Sequence, residues 1–433
     1  MEFHDILHGH IEVDDREMAT FLGDLLESPE VHRLRNMRQM NFDVPLIQEL
    51  GRSRRLPHSI GVAHLAYQLT AGKTLHRSTI KSLVAAALLH DAAIPPFGHL
   101  VESELKAKDP AFSHEHRLKN LMFGLDGRSN KYGHVVHGKS ARLIEILDRH
   151  GVDPLEVLRA VCPEPGKGNF ISAGVDIDNI DNVHRMACML GWKGAAENLS
   201  DLVSVCKVGD DLALEFGSEW QTYLARWADF RNRIYTMIIS HPQCIPHNAL
   251  QADLCRAAVR EGIITSDDWR MTEPEFEEAL RHHPRTKQLA WQLISGCEYI
   301  LEDYVWIREL SAPLKMSNSE IAEMLIDRGV VESSNHTLFI WNENGLISRQ
   351  IDVRLSGGDN VRFGWGSRSC MIALVRTKRT GRNMTKRDRE SWRRAAVGAF
   401  AEILGNDDFV TSFPEGYSGR YLSQELGLGL GHH

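Results

Sequence analysis

With 433 residues, 42% hydrophobic and 25% charged, the chain is long enough for one large domain with an appendage, or for two to three domains. No run approaches the roughly 20 consecutive apolar residues of a membrane span, so a soluble protein is expected. The formal net charge of −8 excludes a nucleic-acid footprint over the whole surface but leaves room for a local basic patch. Seven cysteines, none in a C-x-x-C pair, argue against a disulfide framework and a thiolate zinc site and fit a reducing cytoplasm.

The amino terminus, MEFHDILHGHIEVDD, lacks the basic start and apolar run of a secretory signal, so the mature chain is expected to begin here. His8 and His10 are expected to shape an amino-terminal hairpin or an oligomer contact. From about Met18 to Gly191 apolar residues recur at three- and four-residue spacing, as in SPEVHRLRNMRQM, HSIGVAHLAYQLT and STIKSLVAAALLHD, which predicts a helical domain. Ser28-Pro29 reads as a helix cap and first turn, and Pro95-Pro96 must stop the helix that carries His90 and Asp91. Residues 162–175 read as a Pro/Gly loop, and a mostly helical stretch continues to about Arg328. Then HTLFIWN and LISRQIDVRL flank Asn344-Gly345 like a hairpin, CMIALVRT reads as a third strand, and DRESWRRAAVGAFAEIL as a helix. The expected fold is therefore mainly α. Residues 1–329 form the helical domain, with its core at about 18–191, and 330–433 a small C-terminal α+β region. The closing GLGLGHH is set aside as a tail.

His58 opens one predicted helix, His90 and Asp91 close another, and Asp178 opens a third, so four nitrogen and oxygen ligands from three helices can converge in one cavity. Two imidazoles and two carboxylates suit one divalent ion such as Mn²⁺, Fe²⁺, Ni²⁺ or Zn²⁺, with Mg²⁺ also compatible. Four protein ligands on an ion that prefers six leave positions for water and a phosphate oxygen, a hydrolytic arrangement.

Four stretches, DILHGHIEV at 5–13, RLRNMRQM with RRLPHSIGVAHLA at 33–65, HDAAIPPFGHLVE at 90–102 and GVDIDNIDNVHR at 174–185, stand in the order found in a known family. In them the chain resembles the HD-superfamily deoxynucleoside triphosphate triphosphohydrolases over roughly its first 190 residues. The resemblance implies an HD-domain helical bundle and a metal site of His58, His90, Asp91 and Asp178. It also implies cleavage between the α-phosphate and the 5′ oxygen, releasing nucleoside and tripolyphosphate after attack of metal-activated water. His99 with Glu102 matches an acid–base pair of some members, and His114 is the second candidate for the acid. Arg55 matches a phosphate-contacting arginine and Gln39 a sugar-contacting glutamine, while Tyr235 is placed to line the pocket. The family pattern is broken at Ile94, where some members have a histidine, and at Asn179 and Asn182, which stand for a lysine and a tyrosine.

The resemblance further implies a cytoplasmic homo-oligomer with a nucleotide substrate. The basic segment at 376–394 reads first as a solvated surface and second as a site for a regulatory nucleotide or single-stranded nucleic acid, with Trp392 stacking on a base. Arg35 matches a regulatory guanine-nucleotide site of some members, and His32 departs from it. For His64 and His184 the expected role is a satisfied or exposed helix histidine, for Asp176 a cap, and for Asp181 a solvent-side charge. Two rival readings stand beside the triphosphohydrolase: an HD phosphohydrolase of another nucleotide or phosphoester, and an inactive nucleotide sensor or nucleic-acid-binding protein.

Overall fold

The computed structural model describes residues 1–42, 44–71, 73, 75–125, 142–163, 169–171, 174–331, 335–344, 350–364, 368–378 and 382–413. Helices dominate them, seventeen α-helices against ten short strands, so the mainly α expectation holds. Local signals account for many boundaries. Asp15 caps the helix Arg16–Leu26, which buries Met18, Phe21, Leu22 and Leu25 at helical spacing. Ser28 caps as expected, but the segment after it makes only the turn Pro29–His32 and a 3₁₀ turn Arg33–Asn36.

Three helices frame the site. Arg55–Thr70 packs on Arg77–Leu89 and on Ile177–Met189. The second of these is buried continuously from Lys81 to Leu89, because its alanine-rich run has no polar face and must lie inside the core. After His90 and Asp91, Pro95-Pro96 end the helical path, and the chain turns through Phe97 and Gly98, both at positive φ, before the helix His99–Lys108 starts. The Phe97 ring is held by the Arg38 guanidinium at 4.6 Å and by Phe276 at 5.3 Å, which supports this strained turn.

The strands are β1 (Glu2–Asp5), β2 (Gly9–Glu12), β3 (Cys206–Val208), β4 (Leu214–Phe216), β5 (Ile300–Arg308), β6 (His336–Asn344), β7 (Ile351–Leu355), β8 (Asn360–Phe363), β9 (Arg368–Arg376) and β10 (Val410–Ser412). β1 and β2 form the expected amino-terminal hairpin. An antiparallel sheet in the order β10-β5-β9-β6 has one face on the main core, through Tyr304 and Trp306, and the other on the helices Asn318–Asp327 and Lys386–Leu404, through Val305 and Ile307. It takes strands from both sides of residue 330, and β3, β4 and β5 interrupt the stretch read as helical to Arg328.

Two further expectations are corrected. β6 and β7 do not form a hairpin: β6 pairs with β9, whereas β7 pairs in parallel with β4 and antiparallel with β8. β9 is buried on both faces and so needs a partner on each edge, and that tertiary demand decides the pairing over the local Asn-Gly signal. The turn itself, at 345–349, lies outside the described residues, as do 164–168 and 172–173 of the predicted loop, 379–381 of the basic segment and the tail from 414. Trp392 is not available to stack on a base. It is buried in the second core, and Arg393 beside it is bound to Asp303 at 2.7 Å while Arg376 is bound to Glu302 at 2.7 Å.

Candidate metal centre

His58, His90 and Asp178 come together. His58 Nε2 lies 2.9 Å from Asp178 Oδ1, His90 Nε2 lies 3.5 Å from the same oxygen, and the two imidazole rings stand edge to face with centroids 5.2 Å apart. Their ligand atoms lie within 4.8 Å of one another, a spacing at which one ion can reach all three. Helix geometry places them: His58 sits in the first turn of its helix, His90 at the carboxyl end of another, and Asp178 in the first turn of a third, where the helix dipole favours a carboxylate.

His90 shows that the group suits a cation. Its Nδ1 donates to the Ala87 carbonyl at 2.8 Å, which leaves Nε2 as the ligand atom. That Nε2 is buried without a hydrogen-bond partner, a cost the fold bears unless something else binds it. Burial alone would lower the His90 pKa, but the charges of Asp91 and Asp178 outweigh it and hold it up to about 10. The field there calls for positive charge, and a metal ion meets the same demand as a proton.

Asp91 is placed differently from the other three. Its Oδ2 stands 3.6 Å from His90 Nε2 and forms a buried ion pair with Arg55 Nη1. Burial would raise the Asp91 carboxyl, yet Arg55 and then His90 hold it well below the usual carboxylate range. Arg55 is thereby tied to the edge of the cluster through Asp91. Its Nη2 is 3.5 Å from the Gln39 carbonyl oxygen, and Gln39 Nε2 donates to Asn182 Oδ1 at 3.1 Å, while Gln39 Oε1 is buried with no partner. Asn179 turns its amide back to Asp176 at 2.9 Å. Ile94 is fully buried against Leu34 and Met37 and offers no chemistry. Tyr235, on the helix Trp220–Ser240, lies beneath the Arg231 guanidinium at 4.8 Å; Trp227 of that helix donates to the Asn179 carbonyl at 3.2 Å.

A second group lies just beyond Gly98. The buried Glu102 carboxylate accepts from His99 Nδ1 at 2.7 Å and from His114 Nδ1 at 3.0 Å. Burial would raise Glu102, but its bonds to His114 and His99 hold it well below the usual range, and Glu102 in turn holds the His114 pKa up against burial. The His99 side chain is 59% exposed and that of His114 only 11%, so His99 is the one open to a ligand. Gly98 keeps the two groups close: a β-carbon there would collide with Asn41 Oδ1 and stand 3.0 Å from Arg55 Nη2.

Sequence reading missed what stands behind His58. Asp181, expected at the surface, is fully buried and accepts from His58 Nδ1 at 2.7 Å. Arg185 Nε holds the same oxygen at 2.8 Å, and His8 Nε2 lies 2.7 Å from the other. The signal was present in the four-residue step from Asp181 to Arg185 after Asp178, which puts acid and base on one helix face. Asp176 is the cap, as expected, accepting from Asn179 N at 2.8 Å. His184 is buried and satisfied by the Ile180 carbonyl at 2.7 Å and by Asn198 Nδ2 at 2.9 Å.

No helix among the described residues is long and apolar enough to cross a membrane. No family model matches the chain. An uncharacterized protein of Methanocaldococcus jannaschii is 26% identical to it over 181 residues, a match that spans 42% of this chain and 32% of that protein's length.

Proposed function

We propose that the chain is an HD-type metal-dependent phosphohydrolase acting on (deoxy)nucleoside triphosphates. The observation that carries this reading is the buried Nε2 of His90, which makes no close hydrogen bond and stands between Asp178 Oδ1 at 3.5 Å and Asp91 Oδ2 at 3.6 Å, together with the exposed, carboxylate-bound His99 just past the turn that follows the His-Asp pair. His58, His90 and Asp178 would hold one divalent ion, with Asp91 the fourth ligand. Bound there, an ion of the manganese, iron, nickel, zinc or magnesium kind supplies Lewis acidity and lowers the pKa of water.

The chain's own residues do the rest. Arg55 presents its guanidinium beside Asp91 to a phosphate oxygen. Glu102 fixes the His99 proton on Nδ1 and leaves Nε2 for proton transfer; once charged, that nitrogen can protonate the leaving 5′ oxygen. His114 shares the same carboxylate but is mostly covered, which favours His99 as the acid. Gln39 Oε1 is a buried, unsatisfied acceptor, the kind of atom a sugar hydroxyl would satisfy.

The test is to incubate the Mn²⁺-loaded full chain with the common ribo- and deoxyribonucleoside triphosphates and to separate the products by chromatography. Nucleoside together with intact tripolyphosphate is the expected outcome. Nucleotides recovered whole from metal-loaded protein count against it.

The second reading, a hydrolase of a smaller phosphoester, draws on Asn179, which turns away to Asp176 and brings no cation to a triphosphate. Turnover of a nucleoside monophosphate or nitrophenyl phosphodiester, with triphosphates left intact, would favour it.

A further inference from the structure

We infer that the amino-terminal hairpin is a clasp for the metal centre: His8 and Asp5, through Asp181 and Arg185, are positioning residues that orient His58 and set the affinity for the ion. The inference rests on the metal reading of His58, His90 and Asp178 and adds to it a part of the chain that lies some fifty residues before the first ligand.

The connections are continuous and buried. Asp5 organises the hairpin turn by accepting from Leu7 N at 2.9 Å and His8 N at 3.0 Å through Oδ1, and its Oδ2 binds Arg185 Nη1 at 2.7 Å. Arg185 donates to Asp181 through Nε at 2.8 Å and Nη2 at 3.0 Å. His8 Nε2 donates to Asp181 Oδ2 at 2.7 Å, so each carboxylate oxygen has a donor besides the one facing His58. The side chains of His8, Asp5, Asp181 and Arg185 are 5%, 6%, 0% and 3% exposed, so little water competes for these bonds. Gly61 leaves the space they need: a β-carbon there would collide with Asp181 Oδ2 and stand 2.5 Å from Arg185 Nη2 and 2.8 Å from His8 Nε2.

The chemical consequence follows from the position of Asp181. By accepting the Nδ1 proton of His58, it fixes the ring orientation and keeps Nε2, which lies 2.9 Å from Asp178 Oδ1, as the nitrogen turned to the cation site, and it makes that nitrogen a better ligand. An Asp181 held by Arg185 and His8 cannot swing away. Without the hairpin side it retains one anchor, and His58 gains rotational freedom that ion binding must then remove. His10 on the same hairpin is exposed and touches only the His4 ring among the contacts described, so it provides an internal control.

The experiment is calorimetric titration of the metal-free full-length protein with Mn²⁺, paired with the Co²⁺ absorption band and a thermal melt of each metal-free variant. His8→Ala and Asp181→Asn are expected to weaken Mn²⁺ binding on the order of 10- to 100-fold and to alter the Co²⁺ band. His8→Gln, which keeps an N–H donor at that reach, is expected to restore most of the affinity, and His10→Ala to leave it unchanged. Should Asp181→Asn fail to fold, as its melt would show, the contrast of His8→Ala with His8→Gln and His10→Ala decides the matter. Wild-type affinity in folded His8→Ala, or an equal loss in His10→Ala, overturns the clasp while leaving the metal reading intact. A wild-type chain that takes up neither ion overturns both.

Discussion

Glu102 is the residue on which the chemistry of the second cluster depends. One buried carboxylate fixes two imidazoles in the same tautomer, and it is further held by the His114 backbone N–H at 3.1 Å and Lys106 Nζ at 3.1 Å. A glutamine there accepts one Nδ1 proton and offers N–H to the other ring, forcing that ring to carry its proton on Nε2. Glu102→Gln should therefore lower kcat on the order of 10²- to 10⁴-fold while Mn²⁺ affinity stays at the wild-type value. Steady-state turnover on the substrate found in the nucleotide screen, with a parallel metal titration, checks it. Turnover within twofold of wild type would remove the pair from the reaction. The convergence of His58, His90 and Asp178 was legible in the sequence, because each stands at the end of a predicted helix, and His58 and His90 interrupt largely apolar runs that invite a special reason for them. Asp181 was missed despite its four-residue step to Arg185, because a carboxylate in the first turns of a helix has a ready surface explanation, and only the fold shows it at 0% exposure.

At the scale of elements, the site depends on how closely two helices approach. Arg55–Thr70 and Ile177–Met189 cross where Gly61 faces Asp181 and Arg185, so the buried charges occupy the volume that a side chain at 61 would fill. Gly61→Ala should cost about 1–3 kcal/mol, the usual range for overpacking. Denaturant melts of the metal-free protein measure that loss, and a change below about 0.5 kcal/mol, the range of a neutral surface substitution, would show that the helices part without strain. The same scale explains which elements the sequence revealed. Helices with one apolar stripe and a capping residue, such as Arg16–Leu26 after Asp15, are written locally. β5 is not, since Ile300–Arg308 is buried almost throughout, its acids Glu302 and Asp303 included, so its polar and apolar residues do not alternate with the period that marks a strand. The pairing of β7 with β4 joins residues more than a hundred positions apart, and no turn signal carries that information.

Over the whole molecule, histidines respond to pH in opposite senses according to what surrounds them. Burial holds His184 neutral, with its pKa lowered to about 4, and His64, beside His8, is likewise lowered to about 4. In the unfolded chain both titrate near 6.5. Between pH 6.5 and 4 the unfolded chain thus binds more protons at these two residues than the folded one, and their contribution to stability falls as the solution is acidified through that window. His90 works the other way in the metal-free protein: raised to about 10, it contributes stability that is complete below 6.5 and is lost as pH rises towards 10. The carboxylates Asp91, Glu102, Asp178 and Asp181, all held below the usual range, keep their contribution above about pH 4 and lose it only in stronger acid, so they add little slope to the window between 4 and 6.5. Glu30, Glu104 and Asp253, raised by burial, act in the opposite sense over the same window, so the test is a comparison: as pH falls from 6.5 to 4, the melting temperature of the metal-free protein should lose ground in the wild type relative to His184→Gln, which replaces the titrating ring with a neutral amide. Parallel slopes in the two proteins would mean that the acid limb originates elsewhere and that the burial of His184 does not resist its protonation.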